Sequence, residues 1–438
     1  MINSYAVYSD YIYYDSKVET NKYLLIEDSK IIGLYDKIDE NIKVYRREKS
    51  AIFPGLYNTH THLPMVYFRG LADDLELTDW LKHHIWPAEN KWLSDEFVYD
   101  ASMLAICELI RSGTVAANDM YFYSNKIADA IIESGIKGVV GMGVLDFPTK
   151  FAKSTEEYLK KVEKGIEKYA NILSLKISIS PHAPYTVSPD NFKKCINMAQ
   201  KYDTLIHTHL SESAWEIEEI EKRYGKSPVF LMDEAGLFDT KSIVAHCVHL
   251  TDNEIELLGK KKVNISHCLE SNMKLASGFS PVKKLLDAGA NVSIGTDGAA
   301  SNNDLDILAE MSTVAKFHKA YSSDATALNV EKVIDMATAD AAKSIGFNNS
   351  GILKSGFDAD FMVISLDNPH STPLYNIKSH LVYSAKSSDV TDLFIMGKPV
   401  MLNKKLTTID EKMVLEKAKY WTNKIKRYNH FLGEVDAL

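Results

Sequence analysis

Two rhythms of apolar and polar positions run along this chain. Short β-branched or apolar runs recur at 52–62, 114–120, 138–146, 172–182, 204–210, 242–247, 263–267 and 291–297. Between them lie stretches with helical spacing, including 95–111, 154–170, 191–201, 252–259, 281–288 and 304–320. Apolar runs of that length bounded by helical segments read as buried parallel strands with crossover helices. Eight such alternations over about 270 residues predict an α/β fold, a closed (β/α)8 TIM-type barrel. The two chain ends follow a different pattern. Short strands with turns are expected at 6–14, 23–27 and 30–35, and again at 360–365, 390–396 and 398–402. Neither end is large enough for a core of its own. The expected organisation is therefore a β domain begun by residues 1–55, a barrel over 56–350, and completion of the β domain by 351–438 with a terminal helix. Both ends together would make one small β-sandwich.

Composition narrows the classes without naming a chemistry. The chain has 438 residues, 45% hydrophobic and 25% charged, which is enough apolar mass for a large core and excludes disordered, collagenous and coiled-coil classes. A net charge of −9 argues against sequence-independent nucleic-acid binding, which needs a basic footprint. Cys107, Cys195, Cys247 and Cys268 form no C-x-x-C pair, against both a thiolate zinc cage and a disulfide framework. A reduced, cytoplasmic setting is the simplest expectation. Residues 1–20 lack the basic and apolar regions of a secretory signal, and no 18-residue apolar run suggests a membrane span.

The 14 histidines carry the chemical signal. In Asn58-Thr59-His60-Thr61-His62 the two imidazoles are two residues apart, so on a strand they face one side and make half a site for a divalent metal. Packed core histidines are the plainer alternative. His207-Thr208-His209-Leu210-Ser211-Glu212 repeats the spacing, with His207 read as a packed barrel-layer residue. Glu212 falls just past the strand, where it can reach over the site. A second reading makes it a helix N-terminal acid, with Ser211 capping a helix that contains Glu216 and Glu219. Asp297, between Gly295-Thr296 and Gly298, ends an apolar strand where a buried carboxylate wants a cation or donors. His60, His62, His209 and Asp297 together offer three nitrogens and one oxygen, a complete ligand set for zinc or iron. His182, His246 and His267 end three other strands, at the carboxyl face where such barrels hold substrate. His83, His84, His318, His370, His380 and His430 lack such context and are read as surface or packing residues.

The stretch Pro54-Gly55-Leu56-Tyr57-Asn58-Thr59-His60-Thr61-His62 resembles the opening metal motif of the amidohydrolase superfamily. His209-Leu210-Ser211-Glu212, His246-Cys247-Val248-His249-Leu250, Trp86-Pro87-Ala88-Glu89, Ser271-Asn272-Met273-Lys274-Leu275-Ala276-Ser277-Gly278 and the segment 295–303 resemble its 5-methylthioadenosine/S-adenosylhomocysteine deaminase branch. That branch is related to cytosine and guanine deaminases and to triazine chlorohydrolases. The resemblance spans essentially the whole chain. It implies one divalent metal, zinc first and iron(II) second, on His60, His62, His209 and Asp297. It implies proton transfer by Glu212 and His246, with Asp297 assisting, and substrate contacts at Glu89, His182, Glu212 and Asp297. The implied reaction is hydrolytic deamination of a 6-aminopurine nucleoside to its inosine analogue and ammonia. The alternative is a guanine, pterin or cytosine deaminase, or a triazine chlorohydrolase. The implied partner is a small molecule, with neither nucleic acid nor membrane; a homo-oligomer is compatible with it.

Three differences narrow the reading. Two-metal members of the superfamily need a carboxylated lysine at the end of the fourth strand; here His182 ends it and Lys176 lies several residues back, which favours one metal. Branch members that accept S-adenosylhomocysteine carry arginines after the third strand for the amino-acid tail. This chain has Asp146-Phe147-Pro148-Thr149-Lys150 there. Bidentate carboxylate recognition wants arginine, so a nucleoside without a charged tail is the expected substrate. Cys268 and Glu270 also differ from the commoner form of the branch, with no role assigned to either.

Overall fold

The eight runs become eight parallel strands because nearly every residue in them is buried on both faces, as parallel sheets covered by helices require. The computed structural model describes residues 4–435, with side chains described as far as residue 427. Four strands come first: β1 (Ser4–Tyr14), β2 (Lys17–Glu27), β3 (Lys30–Tyr35) and β4 (Lys43–Pro54). The barrel strands are β5 (Leu56–Thr61), β6 (Thr114–Tyr121), β7 (Lys137–Val144), β8 (Leu175–Pro181), β9 (Leu205–Leu210), β10 (Ser242–His246), β11 (Asn264–His267) and β12 (Asn291–Ile294). Each pairs in parallel with the next, from β5 to β12. The ring closes between β12 and β5, where Asp297 N–H donates to His60 O at 2.9 Å and Thr59 Oγ1 to Ile294 O at 2.9 Å.

One boundary differs from expectation. The run 52–62 is not a single strand: residues to Pro54 belong to β4, and the chain turns at Gly55 before entering the barrel as β5. A Cβ on Gly55 would stand 2.2 Å from Val115 Cγ1, so the turn passes too close to β6 for any side chain.

The chain ends combine as predicted. With β13 (Phe361–Ser365), β14 (Val390–Ile395), β15 (Lys398–Leu402) and β16 (Lys405–Leu406), they form one continuous mixed sheet in the order β16-β15-β14-β13-β4-β1-β2-β3. Strand alternation divides its residues between two cores. Phe361 and Val363 face a small core with Tyr5, Val7, Ile52 and Phe394, whereas Met362 and Ile364 join the large core shared with the barrel. Two strands separate β1 from β14, about 14 Å in a flat sheet. The Tyr5 and Phe394 rings nevertheless stack at 5.7 Å, and Tyr5 Oη donates to Gly397 O, so the sheet curls over its inner face. The terminal helix, Glu411–Val435, lies on the barrel helix Asp95–Arg111; Trp421 packs on Phe97 and donates from Nε1 to Asp100. No helix among the described residues is long and apolar enough to cross a membrane.

A buried ion network ties the sheet to the amino-terminal mouth of the barrel. Lys137, at the start of β7, is 1% exposed and its Nζ lies 2.6 Å from Asp358 and 2.5 Å from Asp360. Tyr57 Oη donates to Asp360 Oδ2, and Met396 N–H to Asp360 Oδ1. Removing one partner of a buried ion pair strands the other charge away from water. Lys137→Met is therefore expected to lower unfolding free energy by about 3–5 kcal/mol in a denaturant titration. Lys30→Met removes a half-exposed cation from the same Asp358 and should cost no more than about 1 kcal/mol.

Candidate active site and metal centre

Parallel strands deliver their last side chains to one face of the barrel, and there the predicted residues meet. His60 lies in β5 and His62 one residue past its end, His209 is in β9, His246 ends β10, and Asp297 lies three residues past β12. His62 Nε2 lies 3.2 Å and His60 Nε2 3.5 Å from Asp297 Oδ1, and His209 Nε2 lies 3.4 Å from His62 Nε2. Ligands about 2.05 Å from one tetrahedral ion stand about 3.3 Å apart, so these separations match the edges of a zinc-sized site.

The tautomers strengthen that match. His62 Nδ1–H donates to Met120 O at 2.5 Å and His209 Nδ1–H to His182 O at 2.7 Å, which leaves both Nε2 atoms as lone pairs. Two lone pairs at 3.4 Å cannot bond to each other; a cation between them satisfies both. His60 Nε2 is a buried nitrogen with no hydrogen-bond partner and points at the same place, while its Nδ1 pairs with His207 Nε2 at 2.8 Å. Asp297 Oδ2 accepts from Ser271 Oγ at 2.7 Å and Ser301 Oγ at 2.9 Å, leaving Oδ1 for the cluster. The set fits one divalent cation. Lys176 stands exposed on the outside of β8, over Phe347, so it supplies no bridge for a second ion.

Electrostatics agree with a site built for a cation. Burial alone would raise Asp297, but the His60 and His62 imidazoles outweigh it and hold the carboxyl well below the usual range. Burial likewise would lower His62, yet the Asp297 carboxylate outweighs it and pushes His62 up to about 9, the same attraction it would exert on any cation held there. Burial and the neighbouring imidazoles lower His182 to about 3, leaving its ring neutral.

Glu212 follows a turn in which Ser211 has φ of 54°; its carboxyl is buried, with Oε2 3.7 Å from His246 Nε2. Burial raises its pKa. The helix here runs Ala214–Tyr224 and is capped by Ser213, not Ser211. Its Glu216 folds back so that its two carboxylate oxygens accept Ser211 N–H at 3.0 Å and Glu212 N–H at 2.9 Å. His246 Nδ1–H donates to Asn272 Oδ1 at 2.9 Å. Ser211, His246 and Asp297 all have left-handed backbone, φ of 54°, 75° and 62°, a concentration of strain typical of functional sites.

These groups open into a cavity of about 410 Å³ whose wall includes His182, Glu89 and Tyr121. Tyr121 Oη donates to Glu89 Oε1 at 2.6 Å and fixes its direction. The stretch after the third barrel strand contributes Phe147, Pro148, Thr149, Lys150 and Phe151 to the wall, a mainly apolar lining without arginine. His267 does not reach the cavity. It is wholly buried and its Nε2 pairs with His318 Nε2 at 2.9 Å on the flanking helix. His83 and His84 are exposed, His370 pairs with Asp389, and His380 is buried. The side chain of His430 lies outside the described residues. Sequence reasoning named no role for Tyr121, Glu216, Asn272, Ser271 or Ser301. The last three lay inside stretches that carried the family resemblance, which was the one available signal.

Comparison with known proteins agrees with this arrangement. Residues 51–400 match the model of the amidohydrolase family. A 5-methylthioadenosine/S-adenosylhomocysteine deaminase from Thermodesulfovibrio yellowstonii is 44% identical over 418 residues, covering 94% of this chain and 95% of that protein. A 5′-deoxyadenosine deaminase from Methanosarcina barkeri is 43% identical over 401 residues, covering 91% and 92%. Among solved structures, an adenosine deaminase from Xanthomonas campestris with bound zinc superposes with a TM-score of 0.92 at 35% identity, covering 96% of this chain and 98% of that one. With that match over most of its length and the ligand geometry above, the chain belongs to the amidohydrolase family, in the 5-methylthioadenosine/S-adenosylhomocysteine deaminase branch.

Proposed function

We propose that the chain hydrolytically deaminates 6-aminopurine nucleosides of the 5-methylthioadenosine, S-adenosylhomocysteine or 5′-deoxyadenosine kind, in the cytoplasm. In this reading zinc is the resident ion, with iron(II) the second choice, held by His60, His62, His209 and Asp297. The observation that carries the proposal is Glu212: a buried carboxyl beside the ligand cluster, with its backbone pinned by Glu216 and its side chain facing His246. The relatives' activities support the substrate class. The limits 1–55, 56–350 and 351–438 remain our division into domains.

When bound, the ion supplies Lewis acidity, bringing the pKa of water from about 15.7 towards roughly 7. The protein's residues supply the rest. His246 holds its proton on Nδ1, donating a hydrogen bond to Asn272 Oδ1, so its Nε2 is the base that takes a proton from the attacking water. Asp297 Oδ1 orients the same water, because the two serine hydroxyls occupy Oδ2. As C6 gains oxygen the purine loses aromaticity, and N1 must be protonated. Glu212, whose pKa burial raises, is the acid that gives N1 its proton. As a carboxylate it then takes the hydroxyl proton of the C6 adduct and passes it to the departing amine, and the proton collected by His246 restores Glu212. The C6–N bond breaks and ammonia leaves. The neutral His182 ring holds the base, and Glu89, aimed by Tyr121, accepts from the ribose hydroxyls.

Ammonia release across a panel of nucleosides, guanine, pterins, cytosine and triazines tests the substrate class. The expected order puts 5-methylthioadenosine and 5′-deoxyadenosine first. S-adenosylhomocysteine should fall at least about 10-fold behind in kcat/KM, because no arginine offers its tail a charge-assisted hydrogen bond. Turnover of guanine or a triazine with none of any adenosine would overturn the reading. Glu212→Gln should keep its metal while kcat falls by about 10²–10⁴; loss of metal would make Glu212 a ligand instead. His60→Ala should lose metal and activity together, checked by elemental analysis beside the assay.

A further inference from the structure

Glu310, in the first turn of the helix Ile307–Tyr321, is completely buried, and among the described residues no basic side chain pairs with it. A carboxyl there costs desolvation unless its oxygens are used. Both are. Oε1 accepts Glu270 N–H at 3.1 Å, and Oε2 lies 3.4 Å from Asn302 Nδ2. Neither contact lies within its own helix. Each neighbours a residue that holds Asp297. Glu270 precedes Ser271 in the short helix after β11, and Asn302 follows Ser301 in the turn after Asp297. Asn302 Nδ2 also donates to Thr296 O at 2.9 Å, directly before Asp297. The two serine hydroxyls lie 2.9 Å from each other as well as on Asp297 Oδ2.

We propose that Glu310 is a positioning residue that clamps the turn after β11 to the turn after β12, so that Ser271 and Ser301 stay together on Asp297 Oδ2. The inference rests on the reading of Asp297 as a metal-holding and catalytic residue. Breaking the clamp frees the two turns to separate, lets Asp297 rotate, and swings away Asn272, the partner of His246. Burial and the neighbouring Glu270 and Asp304 raise the Glu310 pKa. Glutamine keeps the length and shape of the side chain but sets an amide N–H where one accepting oxygen stands, so it holds only one arm of the clamp. The ordinary alternative is a first-turn acid that only stabilises its helix, which would affect melting and nothing else.

The test compares Glu310→Ala, Glu310→Gln and Asn302→Ala with the wild-type enzyme. Zinc affinity is measured by competition with a chromogenic chelator, and kcat, KM and Tm are measured alongside. Partners that orient metal ligands are worth about 10–100-fold in metal affinity or activity. Glu310→Ala is expected to lose zinc affinity and kcat in about that range with KM within about threefold, and Glu310→Gln, which keeps one accepting oxygen, to lose less of both than Glu310→Ala. Asn302→Ala, which removes one arm of the clamp, should give a smaller loss of the same kind and serves if Glu310→Ala does not fold. Variants that melt lower yet bind zinc and turn over like the wild type would overturn the clamp. Asp297→Ala is the control for the underlying reading: if it binds zinc as tightly as the wild type, that reading fails rather than the clamp.

Discussion

Everything at this site depends on one constraint: imidazole lone pairs and a carboxylate oxygen converge where no hydrogen bond among them satisfies them all. The convergence is enforced from behind. Backbone carbonyls of Met120 and His182 take the Nδ1 protons of His62 and His209, and serine hydroxyls occupy the far oxygen of Asp297. Because each donor is used outward, each acceptor is left facing inward. A cation is what such a cavity asks for, and its binding energy becomes folding energy at the carboxyl face of the barrel.

Supporting that face takes structure that has no other purpose. Three strand ends leave the ordinary backbone region at Ser211, His246 and Asp297, each at a cost of about 1–3 kcal/mol. Glu216 and Asn272 then pin the displaced turns by short hydrogen bonds. The opposite face of the barrel has the reverse character. There Lys137, Asp358, Asp360 and Tyr57 close an ion network that is not part of the active-site cavity wall and joins the barrel to the curled sheet. Stability and chemistry are separated by the length of the strands, as the geometry of parallel barrels favours.

How much of this was legible in the sequence follows from the range of each interaction. The barrel could be read because burial on both faces of a parallel strand writes a local apolar run. The convergence of His60 and His62 on Asp297 could be read because strand periodicity puts both on one side. The split at Gly55 is harder to read: Pro54-Gly55 is a turn signal inside the run 52–62, but which sheet each half joins is decided by pairing with distant strands, β13 for one half and β6 for the other. His267 was misjudged for a similar reason. Ser266 meets Thr59 across the barrel interior at 2.6 Å, so alternation sends His267 outward to His318, and a strand-end histidine alone does not reveal which way it faces. Ser271, Asn272 and Ser301 lie in irregular turns, and their roles arise from partners that only the closed barrel brings near.

The same separation explains why the metal set says less about substrate than the wall does. The ligand cluster serves any ring that must be attacked by water, whereas selection depends on what lines the approach. The proposed contact of Glu89 with a ribose depends on Tyr121, which aims its carboxyl from a different element. Beyond them the wall turns apolar at Phe147, Pro148 and Phe151. A thioether or methyl group at the 5′ position loses little on entering such surroundings, while a zwitterionic amino-acid tail must give up water on both charged ends. Lys150 offers that tail one flexible point charge in place of a rigid two-pronged partner. On the proposed function, discrimination between 5′ tails in this chain falls to the loop after the third barrel strand, which lies apart from the strand ends that gather the histidines and Asp297.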